Sequence, residues 1–178
     1  MHMRHQKILS YIPNDYDGKI LDVPVGTAVF TEKKWALLTN AEIMCLDYSK
    51  DMLERAQTRL GNYKHITLIQ GDVGALPMKD ESFDTVVSMN GFHAFPDKDK
   101  AFNETWRVLK QGGTFIACFY IKGKSRRTYW LVKNILSKKG WFTPPFNTES
   151  ELKAILKRMY TKVEMSVDGS MVYFKCVK

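Results

Sequence analysis

The stretch Ile20-Leu21-Asp22-Val23-Pro24-Val25-Gly26-Thr27-Ala28 is followed, 25 residues after Asp22, by the acid of Cys45-Leu46-Asp47-Tyr48. An apolar strand enters a tight turn, a helix follows, and a second apolar strand ends in a carboxylate. In open α/β sheets such a turn brings bare backbone N–H groups to a ligand, and the acid beyond the next strand can accept from a ribose diol. Gly26 in the turn and Asp47 after the second strand are therefore candidate binding residues for an adenosine-containing molecule. A dinucleotide turn requires G-x-G-x-x-G, with the pyrophosphate on the following helix N-terminus. Here Pro24, Gly26 and Ala28 stand at alternate positions and no glycine is at the sixth, which disfavours a dinucleotide.

The same alternation continues down the chain. Strands are predicted near residues 19–25, 41–46, 65–70, 84–90 and 113–120, and helices near 4–12, 27–38, 49–60 and 97–109. Ser49 and Asp97 suit N-caps because their side-chain oxygens can accept helix N–H groups. Apolar strands flanked by helices predict a parallel sheet buried on both faces. Further on, residues 125–137 read as a basic helix and 140–146, with Pro144-Pro145, as a loop. Thr148-Glu149-Ser150-Glu151 is a capping box, and Asp168-Gly169 between two strand-like runs predicts a type I′ hairpin.

These motifs resemble the class I S-adenosylmethionine-dependent methyltransferases. The turn is similar to that family's D-x-G-x-G-x-G with its first and third glycines replaced. Asp47-Tyr48-Ser49 with Met52-Leu53 resembles its second-strand acid and next helix, and Gln70-Gly71-Asp72-Val73 its adenine segment. Ser82 to Ser88, Phe92-His93-Ala94-Phe95, and Arg107 to Phe115 resemble its fourth strand, the loop after it, and the helix, turn and fifth strand. The resemblance covers roughly residues 19–120 and is nearest the small-molecule enzymes of ubiquinone and menaquinone biosynthesis. It implies a Rossmann-like α/β fold, a doubly wound seven-stranded sheet in order 3-2-1-4-5-7-6 with the last strand antiparallel, in three α/β/α layers. S-adenosylmethionine is the implied cofactor and S-adenosylhomocysteine the product.

By the same resemblance, Asp22 faces the cofactor's amino group directly or through water, its alternative role being to pin its own turn, while Gly26 faces the methionine part and Asp47 the ribose. Tyr48 and Val73 sandwich the adenine, Asp72 accepts from its amino group, and Thr27, Met52, Met89 and Asn90 complete the pocket. Ala28 adds a methyl where the helix approaches the cofactor. His93, just past the fourth strand, is the candidate general base because imidazole titrates near neutrality, although a sulfonium methyl can be transferred without one.

Composition adds boundaries. The 178 residues suit one domain, divided into a cofactor core over 19–120, an acceptor-pocket or lid insertion over 121–147 and a terminal helix and hairpin over 148–178. No apolar run reaches the roughly 20 residues of a spanning helix, and Met1-His2-Met3-Arg4 does not open a signal peptide; a cytoplasmic protein is expected. Cys45, Cys118 and Cys176 lie in apolar runs without metal-ligand spacing, so reduced core thiols and no metal are expected. Residues 1–120 hold 14 Lys and Arg against 15 Asp and Glu, whereas 121–178 hold 13 against 4. That field suits an anionic acceptor, an acidic membrane surface or RNA phosphates, unless it is merely a solvated face. The expected function is methyl transfer to a small acceptor, anionic or aromatic, with no DNA partner and with a homodimer open. RNA modification, or cofactor binding without catalysis, are the alternatives.

Overall fold

The computed structural model describes residues 8–178. The strands are β1 (Lys19–Asp22), β2 (Glu42–Asp47), β3 (Ile66–Gln70), β4 (Phe83–Met89), β5 (Leu109–Tyr120), β6 (Lys162–Asp168) and β7 (Met171–Val177). They form one sheet in order β3-β2-β1-β4-β5-β7-β6, as the resemblance implies. β1 to β5 run parallel, and β7 is antiparallel to both β5 and β6.

The parallel strands are apolar on both faces because both are covered. Along β5, Phe115, Ala117 and Phe119 enter one core cluster, while Ile116 and Cys118 enter the other. One layer consists of α1 (Glu32–Leu37), α2 (Lys50–Leu60) and Ile8, Leu9 and Ile12; it packs Trp35, Ala56 and Leu60 on that second cluster. The opposite layer, α3 (Lys98–Val108) and α5 (Glu149–Met159), packs Phe102, Val108, Leu152 and Leu156 on the first. All three cysteines are buried free thiols, and burial pushes Cys118 and Cys176 up to about 12. Among the described residues no cluster of side chains could hold a metal ion, and no helix is long and apolar enough to cross a membrane.

Helix starts follow their caps. Ser49 Oγ accepts from Met52 N–H, Asp97 Oδ1 accepts from Lys100 N–H at 2.9 Å, and Thr148 and Glu151 satisfy each other's backbone reciprocally. Of the helix expected over 4–12, residues 4–7 lie outside the described residues. Two further expectations need correction. The helix read as starting at residue 27 begins at Glu32, because Ala28 takes φ +59° and cannot continue a right-handed turn. At the hairpin, Asp168 pairs with Met171, which makes Gly169-Ser170 the two-residue loop. Only Gly169 has positive φ, the type II′ pattern rather than type I′.

After α4 (Arg126–Leu131), residues 132–136 widen into a π-helical turn and 137–139 tighten into a 3₁₀ turn. Val132 and Phe146 bury against Tyr120 at the end of β5, with Leu136, Phe142 and Met171 packed around them. Thus the insertion folds back over the carboxyl end of the sheet.

Candidate functional site

The carboxyl ends of β1, β2 and β3 are tied together by backbone groups. Val23 N–H donates to Val87 O in β4, and Val25 N–H donates to Leu46 O in β2. Pro24 falls between these two donors, so the N–H it lacks removes no rung of the ladder. Gly26 then takes φ +56°, and a Cβ added there would meet nothing within 4 Å. Its N–H donates to Asp47 Oδ2 at 2.8 Å, while Ser49 N–H donates to Asp47 Oδ1 at 2.9 Å. Each carboxylate oxygen therefore keeps one lone pair uncommitted by these bonds. Two fixed acceptors beside an empty space over Gly26 fit a vicinal diol.

Gly71 N–H donates to Asp47 O, and Gln70 Nε2 donates to Tyr48 O, which hold the third strand's exit beside the second's. Tyr48 is 75% exposed and Met52 is 37% exposed, so both side chains are available to a ligand at this edge. Asp72 Oδ1 accepts from Gly74 N–H at 2.8 Å in a local turn. Val73 is buried in the core beneath that turn, and Thr27 lines an open groove with Glu32, Arg55, Thr58 and Arg59. On the β4 side, Met89 is buried, with Cys118 Sγ 3.9 Å from its sulfur. Asn90 takes φ +58°, a conformation Asn tolerates, and its N–H donates to Cys118 O. A 410 Å³ groove between residues 9–14 and 29–37 touches none of these residues. The candidate site is the sheet's carboxyl edge.

Three residues differ from their expected placement. Asp22 is fully buried, and Trp35 Nε1 donates to its Oδ2 at 2.8 Å. Its Oδ1 has no hydrogen-bond partner, since the buried Thr31 hydroxyl lowers its pKa without closing a bond. Burial outweighs these donors and the carboxyl is pushed up to about 7, with the charge of Asp47 adding to the rise. Asp22 thus supports the turn from below rather than presenting its carboxylate to a ligand. Likewise, the Ala28 methyl is 1% exposed in the core and does not project over the cofactor edge.

His93 is the third. Its ring stacks on Phe142 at 4.1 Å between centroids, and its Nδ1 accepts from Tyr120 N–H at 3.3 Å. That acceptor role places the proton of the neutral ring on Nε2. Burial, with Lys98 nearby, pushes it down to about 4. A buried imidazole whose lone pair faces a backbone amide is placed as a packing group, not as the expected base. Around it, Thr143 N–H and Oγ1 donate to His93 O and Ala94 O, and Lys98 Nζ donates to Phe95 O and to Thr143 O. These bonds clamp the insertion to the loop after β4.

Trp35, Lys98 and Thr143 escaped the sequence reading. For Trp35 the one general signal, that a buried indole needs an acceptor, does not choose among Asp22, Glu42 and Asp47 on the neighbouring strands. Lys98 and Thr143 had none, as their partners are main-chain carbonyls.

A family model described as a methyltransferase domain matches residues 21–117. The chain belongs to that family. The methyltransferase-domain family uses S-adenosylmethionine, and the two fixed carboxylate acceptors of Asp47 beside Gly26 fit the ribose of that cofactor. The chain is 40% identical over 97 residues to a demethylmenaquinone methyltransferase of Staphylococcus carnosus, which covers 54% of this chain and 40% of the relative. It is 33% identical over 113 residues to the rice chloroplastic 2-methyl-6-phytyl-1,4-hydroquinone methyltransferase 1, covering 64% of this chain and 33% of the relative. The chain therefore spans well under half the length of these curated relatives. Its fold is similar to Haemonchus contortus phosphoethanolamine N-methyltransferase 2, solved in complex with S-adenosyl-L-methionine. That match has TM-score 0.77 and 22% identity, and covers 92% of this chain and 38% of the other.

Proposed function

We propose that the chain transfers a methyl group from S-adenosylmethionine to a small aromatic acceptor of the hydroquinone type. The observation that carries this reading is the aromatic cluster that the insertion forms at the carboxyl end of β5. Phe142, Phe146 and Tyr120 pack edge to face, with ring centroids 5.3 to 6.2 Å apart, and are clamped to the loop after β4 by Lys98 and Thr143. Beside this cluster a groove is lined by Tyr129, Pro144, Pro145 and Phe146, an apolar and aromatic lining that suits a ring-shaped acceptor. The named activities of the bacterial and plant relatives point to the same acceptor class.

In this reading Asp47 and Gly26 fix the ribose, Tyr48 covers the adenine with Val73 beneath it, and Asp72 accepts from the adenine amino group. Thr27, Met52, Met89 and Asn90 surround the rest. Bound cofactor supplies an already activated sulfonium methyl, so the chain's own task is alignment and exclusion of water. Residues 121–147 perform that task. His93 and Lys98 act by holding the insertion in place rather than by moving a proton.

The test is a labelled-methyl assay with a short-chain hydroquinone, a panel of non-aromatic anions, and single-stranded RNA. Label recovered in the hydroquinone supports the proposal. Label in the anions or in RNA alone overturns the acceptor class, and tight S-adenosylhomocysteine binding without turnover on any of them supports a binding protein instead.

A further inference from the structure

The insertion carries a surface that the cofactor and acceptor readings leave unused. From Ile121 to Thr148 the sequence contains seven Lys and Arg and not one Asp or Glu. Two of these cations are spoken for, since Lys122 pairs with Glu151 and Lys124 with Glu149. The other five, Arg126, Arg127, Lys133, Lys138 and Lys139, make no ion pair among the described residues. A solvated face would account for them if their neighbours were polar. The neighbours are not: Trp130 is 60% exposed, Leu131 42% and Trp141 58%.

These side chains are not scattered. Val132, Leu136 and Phe146 turn inward to Tyr120. Trp130 and Leu131, three and four residues after Arg127, therefore share the outward face with it and with Asn134, whose Nδ2 donates to Trp130 O. Lys138 follows one turn later. Lys139 Nζ lies over the Trp141 ring, 5.1 Å from its centroid, which places a cation against an exposed indole. Tryptophan and leucine flanked by unpaired Lys and Arg, on a helix too short and polar to span, are the chemistry of a surface lying in the headgroup layer. A single RNA strand would use a groove of stacking rings. This face is the outside of a helix, and its aliphatic Leu131 offers nothing to a base.

We propose that the outward face of residues 126–141 docks on an anionic lipid bilayer, with Trp130, Leu131 and Trp141 entering the interface and the five free cations meeting acidic headgroups. Docking there sets the carboxyl edge of the sheet, where the insertion is clamped, beside the membrane. The proposal does not depend on the acceptor's identity.

The test is co-sedimentation of the full chain with vesicles of phosphatidylcholine containing 30 mol% phosphatidylglycerol, roughly the anionic content at which polybasic surfaces bind, and with pure phosphatidylcholine. Three paired variants are compared: Trp130→Ser with Trp141→Ser, Lys138→Gln with Lys139→Gln, and Lys153→Gln with Lys157→Gln as charge-matched controls on α5. S-adenosylhomocysteine affinity reports that each variant remains folded. Expected are binding to the anionic vesicles only, a loss of roughly tenfold or more in each of the first two pairs, and little change in the control. On the unaltered protein, brominated lipids should quench tryptophan fluorescence, a readout that stands even if a variant fails to fold. No vesicle binding, equal loss in the α5 control, absence of bromolipid quenching, or tighter binding to single-stranded RNA than to vesicles overturns the proposal.

Discussion

Replacing Asp22 by Asn isolates one buried carboxyl whose energetics the fold sets unusually. Asp22 has no solvent access, one donor from Trp35 and an oxygen without a partner. Its carboxyl is accordingly raised from the ordinary 3.8 to about 7. A group that binds its proton more tightly when folded stabilises the protein at low pH. That contribution is complete below the unfolded value near 4 and is lost as pH rises through about 7. At about 1.4 kcal/mol per decade, the ionised carboxylate costs about 4 kcal/mol of stability above pH 7. The amide keeps an acceptor for the indole and never ionises. Urea unfolding of both proteins from pH 5 to 8.5 should therefore give a stability difference that grows in favour of Asp22→Asn up to about pH 7 and then stays level. Curves that remain parallel across the range would refute the reasoning, because water would then reach Oδ1 and Asp22 would titrate as an ordinary acid. Trp35→Phe, which removes the one donor to Oδ2, should push the carboxyl higher still.

Asp47→Ala removes two charge-assisted acceptors, each contributing about 1.5 kcal/mol or more; S-adenosylhomocysteine affinity measured by calorimetry should fall at least about 100-fold, and a change within tenfold would remove Asp47 from the ribose site. His93→Gln should keep methyl transfer within about tenfold and leave the pH–rate profile without a new inflection, whereas a loss of 100-fold or more at unchanged cofactor affinity would restore the general base. Because burial holds the His93 imidazole near 4, its packing contribution is present above about pH 6.5 and lost as pH falls through 4, so acid unfolding of the variant should begin at lower pH than in the unaltered protein. Lys98→Met breaks the bonds to Phe95 O and Thr143 O, and hydrogen exchange at residues 141–146 should speed while the β1–β3 half is unchanged. For Ala28→Gly, relief of a positive φ, about 1 kcal/mol, opposes loss of a buried methyl and added chain freedom; the urea midpoint should move by less than about 1 kcal/mol in either direction.

The sheet order was implied by the family resemblance, whereas the parallel core itself was legible because its strands are apolar runs flanked by helices and three helix starts carry their own caps. Ser49, Asp97 and the Thr148/Glu151 box act within three residues, a range a sequence displays directly. Asp47 was legible for the same reason, as an acid following an apolar run. What resisted reading depends on distant partners. Nothing near Asp22 announces that Trp35 will cover it, and nothing near His93 announces Phe142 on its ring 49 residues later. The late start of α1 resisted for another reason: alanine is a strong helix former, and only the surrounding turn forces Ala28 into a left-handed conformation.

The clamp on the insertion has a consequence for how this protein can change. The bonds around Thr143 end on main-chain oxygens, those of His93, Ala94, Phe95 and Thr143 itself. Main-chain oxygens survive almost any substitution. Provided Lys98, Thr143 and the inward-facing Val132 and Leu136 are kept, the segment between Gly123 and Gly140, whose positive φ angles mark its two bends, can be exchanged for a foreign sequence without disturbing the β1–β3 half. If the insertion bounds the acceptor as proposed, acceptor range becomes open to recombination between relatives and to laboratory grafting, while β1 to β3 stay as a common chassis.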